Sequence, residues 1–166
     1  MDRTEFFTTP AYRSQTNFFQ CVASMHEIHP DLLWIGHAFD IREPRSLFDA
    51  EIAAVVDVAF EEPPAALPRQ LVYCRFPLND GGGNNPAVLL QSIQTLVNLL
   101  NADVRTIVAC SAGMSRSPTV AAFALAAYLS QQPDEVLTRI ASIKTLEIKP
   151  ALWKEVEQIF PRIHSR

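Results

Sequence analysis

The chain has 166 residues, a formal net charge of −4 and a pI near 5.5, with 48% hydrophobic and 19% charged residues. That length suits one compact domain, able to bury a core without disulfide or metal staples. The acidic balance lacks the basic stripe of a nucleic-acid binder and offers nothing to an anionic membrane surface. Three cysteines, Cys21, Cys74 and Cys110, stand far apart. They form no C-x-x-C pair and no zinc-spaced Cys/His group, and no cofactor is expected. A sparse, odd set fits a reducing compartment. The first residues lack the basic-then-apolar plan of a signal peptide, and the small-apolar run at 119–129 is too short to span a bilayer. A soluble cytoplasmic protein is expected, with no membrane partner.

Residues 1–27 read as an N-terminal extension. Phe6, Phe7, Phe18 and Phe19 are too apolar for a disordered tail and predict packing on the domain, which is assigned to 28–166. Leu33-Trp34-Ile35, closed by Gly36, reads as a strand. The β-branched run Ala53-Ala54-Val55-Val56-Asp57-Val58 is a second, ending in Glu-Glu-Pro-Pro. Leu71 to Phe76 is a third, stopped by Pro77. A helix follows from Pro86, with Asn85 as N-cap and Leu89, Ile93, Leu96, Val97 and Leu100 at helical spacing. The fourth strand covers 104–109, and an Ala-rich helix covers 117–131. Two more helices open at Pro133 and Pro150. Alternating strands and helices predict an α/β sandwich in a single domain, its central sheet mostly parallel and flanked by helices. Ligands in such sheets bind beyond the carboxyl ends of the strands.

The loop after the fourth strand therefore carries the chemistry. It reads Cys110-Ser111-Ala112-Gly113-Met114-Ser115-Arg116-Ser117-Pro118 and runs from strand into helix. The first N–H groups of a helix lack internal partners and converge on an anion. Gly113 lets the loop curl, and Arg116 adds a planar cationic fork matching two phosphate oxygens. Cys110 sits on the floor of this electropositive cup, where the thiolate is favoured and can displace an ester oxygen from phosphorus. Cys, Gly, Arg and Ser arise at these spacings by accident less than about once in a thousand such chains.

C-x-x-G-x-x-R-S resembles the signature of the protein tyrosine phosphatase superfamily. The short chain and Leu78-Asn79-Asp80 resemble its dual-specificity branch, over roughly residues 28–160. Ile28-His29-Pro30 through Ile35-Gly36 looks like that branch's opening strand. The resemblance implies a phosphocysteine on Cys110, phosphoryl oxygens held by Arg116, and Ser117 steadying the departing thiolate. The backbone of Ser111, Ala112, Gly113, Met114, Ser115 and Arg116 would form the cradle. It implies no metal. Low-molecular-weight phosphatases share C-x5-R but place it near the N-terminus.

Asp80 is the candidate general acid. It follows a strand, lies on a Gly-rich loop and precedes Cys110 by thirty residues. It would protonate the leaving oxygen and then accept a proton from water. The alternative is an ordinary Asn-Asp-Gly turn. Asp57 is either a strand-end polar residue or a support reaching the loop from beneath.

Two departures matter. The family usually has His before the nucleophile, and this chain has Ala109, which predicts a weaker enzyme. The histidines His26, His29, His37 and His164 read as surface or capping residues. The cradle also lacks Lys, which tilts away from phosphoinositides toward a singly phosphorylated side chain or another monoester. Cys74 reads as core packing, or as a redox partner of Cys110. The leading expectation is a cysteine-dependent protein tyrosine or dual-specificity phosphatase acting on a phosphorylated protein or other phosphomonoester. A phosphate-binding pseudophosphatase module is the alternative; sulfur transfer and arsenate reduction, which also use a cysteine loop, leave Asp80 and Ser117 unexplained. The oligomeric state is left open, with a monomer favoured.

Overall fold

The computed structural model describes residues 25–163. The expected packing of the N-terminal extension, Cys21 and His164 lie outside these residues. Among the described residues, five strands form one sheet in the order β1-β2-β5-β3-β4. They are β1 (His26–His29), β2 (Leu33–His37), β3 (Ala54–Ala59), β4 (Val72–Leu78) and β5 (Thr106–Cys110). Only β1 runs antiparallel, so the expected mostly parallel α/β sandwich is what the chain adopts. The segment expected as one opening strand is two, β1 and β2. They turn at Pro30–Asp31, where Asp31 takes a positive φ of 55° and Leu32 N–H donates to His29 C=O at 3.2 Å.

The central strands β3 and β5 are buried at every position, as near-continuous apolar runs should be in a parallel sheet covered on both faces. Strand β4 runs through Pro77 to Leu78, two residues past the predicted stop. It is an edge strand, where a missing N–H breaks no ladder on the open side.

Helix α1 (Pro44–Asp49), absent from the sequence reading, covers one face with a cluster that includes Trp34, Leu47 and Ile107. The other face holds α2 (Pro86–Asn101), α3 (Arg116–Leu129), α4 (Pro133–Ala141) and α5 (Pro150–Ile159). Asn85 caps α2 as expected, its side-chain oxygen accepting from Ala87 N–H at 2.9 Å. Helix α3 is buried from Arg116 to Ala126. It contacts the sheet, α2, α4 and α5, and its alanines allow that close approach on all sides. Phe123 anchors it, with ring centroids 4.6 Å from Trp153 and 5.0 Å from Phe160. Ser130, at φ 55°, ends it. No helix among the described residues is long and apolar enough to cross a membrane.

Candidate active site

Strand β5 lies between β2 and β3, so Cys110 leaves the sheet in its middle, flanked by the loops that follow both neighbours. The chain from Cys110 to Arg116 closes a small cup of about 100 Å³, lined by Cys110, Ala112, Met114, Ser115 and Arg116, with Asp80, Glu147 and Lys149 contributed by other segments. Cys110 is buried, and its Sγ stands 3.2 Å from Ser117 Oγ. The predicted nucleophile, cradle, helper and acid therefore share one site.

The cradle owes its shape to what holds its carbonyls. In a trans peptide the C=O of one residue and the N–H of the next point to opposite sides. The Ser111 carbonyl accepts from Ala38 N–H at 3.3 Å and the Met114 carbonyl from Glu147 N–H at 2.9 Å. Lys144 Nζ donates to the Gly113 carbonyl. The Ser115 carbonyl accepts from Thr119 N–H at 3.0 Å and Thr119 Oγ1 at 2.8 Å. The four N–H groups that follow, of Ala112, Met114, Ser115 and Arg116, are turned the other way. These four residues are the ones that line the cup. Gly113 is required: its φ is +69°, and a Cβ there would meet the Gly36 carbonyl oxygen at 2.8 Å.

Two buried polar atoms in this wall have no hydrogen-bond partner, Arg116 Nε and Ser115 Oγ. Unpaired buried donors are costly, and both belong to residues that line the cup. The Arg116 fork is not open as expected. Nη1 donates to Glu61 Oε2 at 2.5 Å and to the Leu78 carbonyl at 3.0 Å; Nη2 donates to Glu61 Oε1 at 2.5 Å and to Ser111 Oγ at 3.2 Å. Four of the five guanidinium N–H groups are thus engaged, and Nε–H is left for a ligand. Asp80 Oδ1 lies 4.0 Å from that Nε.

Glu61 was missed in the sequence, where Glu-Glu-Pro-Pro reads only as a strand end. It also accepts from Ser111 Oγ–H. Hydrogen bonds from Arg116 hold its carboxyl down at about 2, against opposing desolvation and with further help from Ser111. Burial alone would lower Arg116, but the hydrogen bonds it donates to Glu61 and the charges of Cys110, Glu61 and Asp80 raise it. The guanidinium is therefore a fixed charge.

Asp80 sits on an exposed loop braced from outside the cup. Asn84, nearly buried, accepts from Asn79 N–H at 2.8 Å and donates to the Gly81 carbonyl at 2.9 Å. Glu155 of α5 accepts from Gly83 N–H at 2.5 Å and from Asn84 Nδ2 at 3.1 Å. Neither brace was expected.

Asp57 does not reach the cradle. It accepts from Tyr73 Oη at 2.7 Å and from Ala59 N–H at 3.0 Å, with Arg75 Nε 3.6 Å away, and so shapes the loop that delivers Glu61. Cys74 is free, like Cys110, and burial pushes its thiol up. It lies on β4, with β3 between it and β5. Two strand spacings put it roughly 10 Å away, beyond disulfide reach, so the redox pairing would need a change in the sheet.

No family model matches the chain, and no curated protein matches it. Solved structures do. A mouse putative dual specificity phosphatase, complexed with zinc tungstate, aligns at a TM-score of 0.75 and 19% identity, covering 86% of this chain and 90% of that one. Human DUSP28 aligns at 0.73 and 19%, covering 84% and 97%. PTPMT1 aligns at 0.69 and 20%, covering 86% and 97%. The fold is that of the dual-specificity branch of the protein tyrosine phosphatase superfamily, as the cysteine loop led one to expect.

Proposed function

We propose that the protein is a cysteine-dependent phosphomonoester hydrolase, acting on phosphotyrosine or other phosphorylated side chains. The observation that carries this is the cup itself. A buried thiol, four inward N–H groups and two unpaired donors surround one small space, with a carboxyl group at its mouth. That arrangement fits a phosphoryl group about to be attacked.

In this reading Cys110 Sγ attacks phosphorus as thiolate, in line with the ester oxygen. The P–O bond breaks, and the leaving oxygen takes a proton from the Asp80 carboxyl. The cradle N–H groups and Arg116 Nε–H meet the charge on the transferring oxygens. Water then attacks phosphocysteine, giving its proton to the Asp80 carboxylate. The P–S bond breaks, and the thiolate leaves toward Ser117, whose hydroxyl donates to it. Glu61 positions the guanidinium by occupying the far side of its fork.

Purified protein should hydrolyse an aryl phosphate, and Cys110→Ser should abolish turnover while still binding phosphate. If wild type and Cys110→Ser both bind phosphopeptide and neither turns over, the chain is a phosphate-binding module instead.

A further inference from the structure

The thiolate needs positive charge near it, and its own strand brings none. Ala109 is apolar and fully buried. Arg116 supplies one cation from α3. Besides Lys149, which lines the cup, a further cation stands on the outer side of the cradle. Lys144 follows α4, is partly buried and donates from Nζ to the Gly113 carbonyl. The remaining restraints on the cradle carbonyls are backbone N–H groups and one hydroxyl, so Lys144 is the charged one among them. The fit is close: a Cβ on Gly113 would lie 3.1 Å from the ammonium nitrogen.

We propose that Lys144 is a positioning residue for the nucleophile, with its ammonium fixing the Gly113–Met114 peptide and favouring the Cys110 thiolate through the cradle wall. A cation on the Gly113 oxygen polarises that peptide and makes Met114 N–H, on the cup side, a stronger donor. Burial, the largest influence, leaves Lys144 below the ordinary lysine value, while negative charge on Cys110 and then Asp40 opposes that shift. The other charged or titratable groups around the pair are Arg116 and Asp80 beside the thiol, Glu147 and Lys149 at the cup, and His26 and His37 in the cleft that Lys144 lines. Glu61 acts on the pair through Arg116. The sequence reading found no Lys within the cradle; folding places one against its outer wall.

The proposal rests on Cys110 acting as a thiolate, but its test needs no turnover. Iodoacetamide alkylation of Cys110 is followed by peptide mass spectrometry across pH, in wild type, Lys144→Gln and Lys144→Arg. The Gln variant should move the alkylation midpoint up by about one pH unit, slowing reaction on the order of tenfold at pH values below it. The Arg variant, with a permanent charge, should restore the wild-type midpoint. Equal midpoints in all three folded proteins overturn the proposal. If the Gln variant does not fold, the Arg variant decides. Protection of Cys110 by inorganic phosphate should then persist to higher pH in Lys144→Arg than in wild type, and identical loss overturns it. An inactive wild type that shows the midpoint shift would sink the hydrolase reading and leave Lys144 in place; an active one without the shift would do the reverse.

Discussion

The two halves of the candidate site are built differently. The cradle grows from the central strand of the sheet and the first turn of the most buried helix. Its carbonyls are tied to the residue after β2, to α3 and to the segment between α4 and α5. The Asp80 loop hangs from an edge strand and is exposed, with its shape held by Asn84 and Glu155. On the proposed function, binding of charge falls to the buried interior and delivery of a proton to the periphery. The difference teaches where damage should fall: lesions in the cradle remove the reaction, and lesions in the loop make it selective for easy substrates.

The largest effect is expected inside the cradle. Arg116→Lys keeps a charge but loses Nε–H and the fork that Glu61 and Leu78 hold. Turnover should fall on the order of a thousandfold for every substrate, checked by steady-state kinetics on one aryl and one alkyl phosphate. A loss confined to the alkyl phosphate would erase the contrast between the halves. Asp80→Asn comes next. It should slow poor leaving groups by about a hundredfold and activated ones by much less. Equal slowing of both would reduce Asp80 to a turn residue.

The two halves also differed in how far the sequence revealed them. Cys110, Gly113, Arg116 and Ser117 are legible because an anion cup at a strand-to-helix junction needs few residues at fixed local spacing. The sheet was legible for a similar reason, since period and turn chemistry are local. What supports the cup was not. Glu61 follows a neighbouring strand, Lys144 follows a later helix, and their partnership with the loop exists only once strands β2, β5 and β3 lie side by side. Glu61 looked like punctuation before Pro63. Asn84 and Glu155 meet across 71 residues of chain, and no periodicity marks them. Strand β4 outran its prediction because Pro77 stops a central strand, whereas this one is an edge.

Those hidden braces give the next test. Glu155→Gln keeps the shape of the side chain but removes the charge that the Gly83 and Asn84 donors share. The loop should then sample more conformations, and poor leaving groups should slow about tenfold, while aryl phosphates with good leaving groups barely change. Because α5 also packs on Phe123 through Trp153, the melting temperature must be compared alongside. A rate loss that tracks melting temperature across temperatures would assign Glu155 to stability and dissolve the link between α5 and the acid.

The smallest effect concerns the seam between the halves, where Glu61 meets Arg116. Its carboxyl is held at about 2 rather than the ordinary 4.5, chiefly by the Arg116 hydrogen bonds. A carboxylate depressed in the folded state adds stability that is complete above about 4.5 and is lost as pH falls toward about 2. Glu61→Gln should therefore be less stable than wild type near neutrality, and the gap should close as the solution is acidified through that window. The side chain is half exposed, so solvent screening holds the gap to about 1 kcal/mol or less, measurable by urea denaturation at several pH values. Turnover should fall more than stability, because the freed guanidinium loses the anchor that aims Nε into the cup. A gap constant from pH 7 to pH 2 would mean that the carboxylate does not hold Arg116 in solution, and that the fork is open to substrate after all.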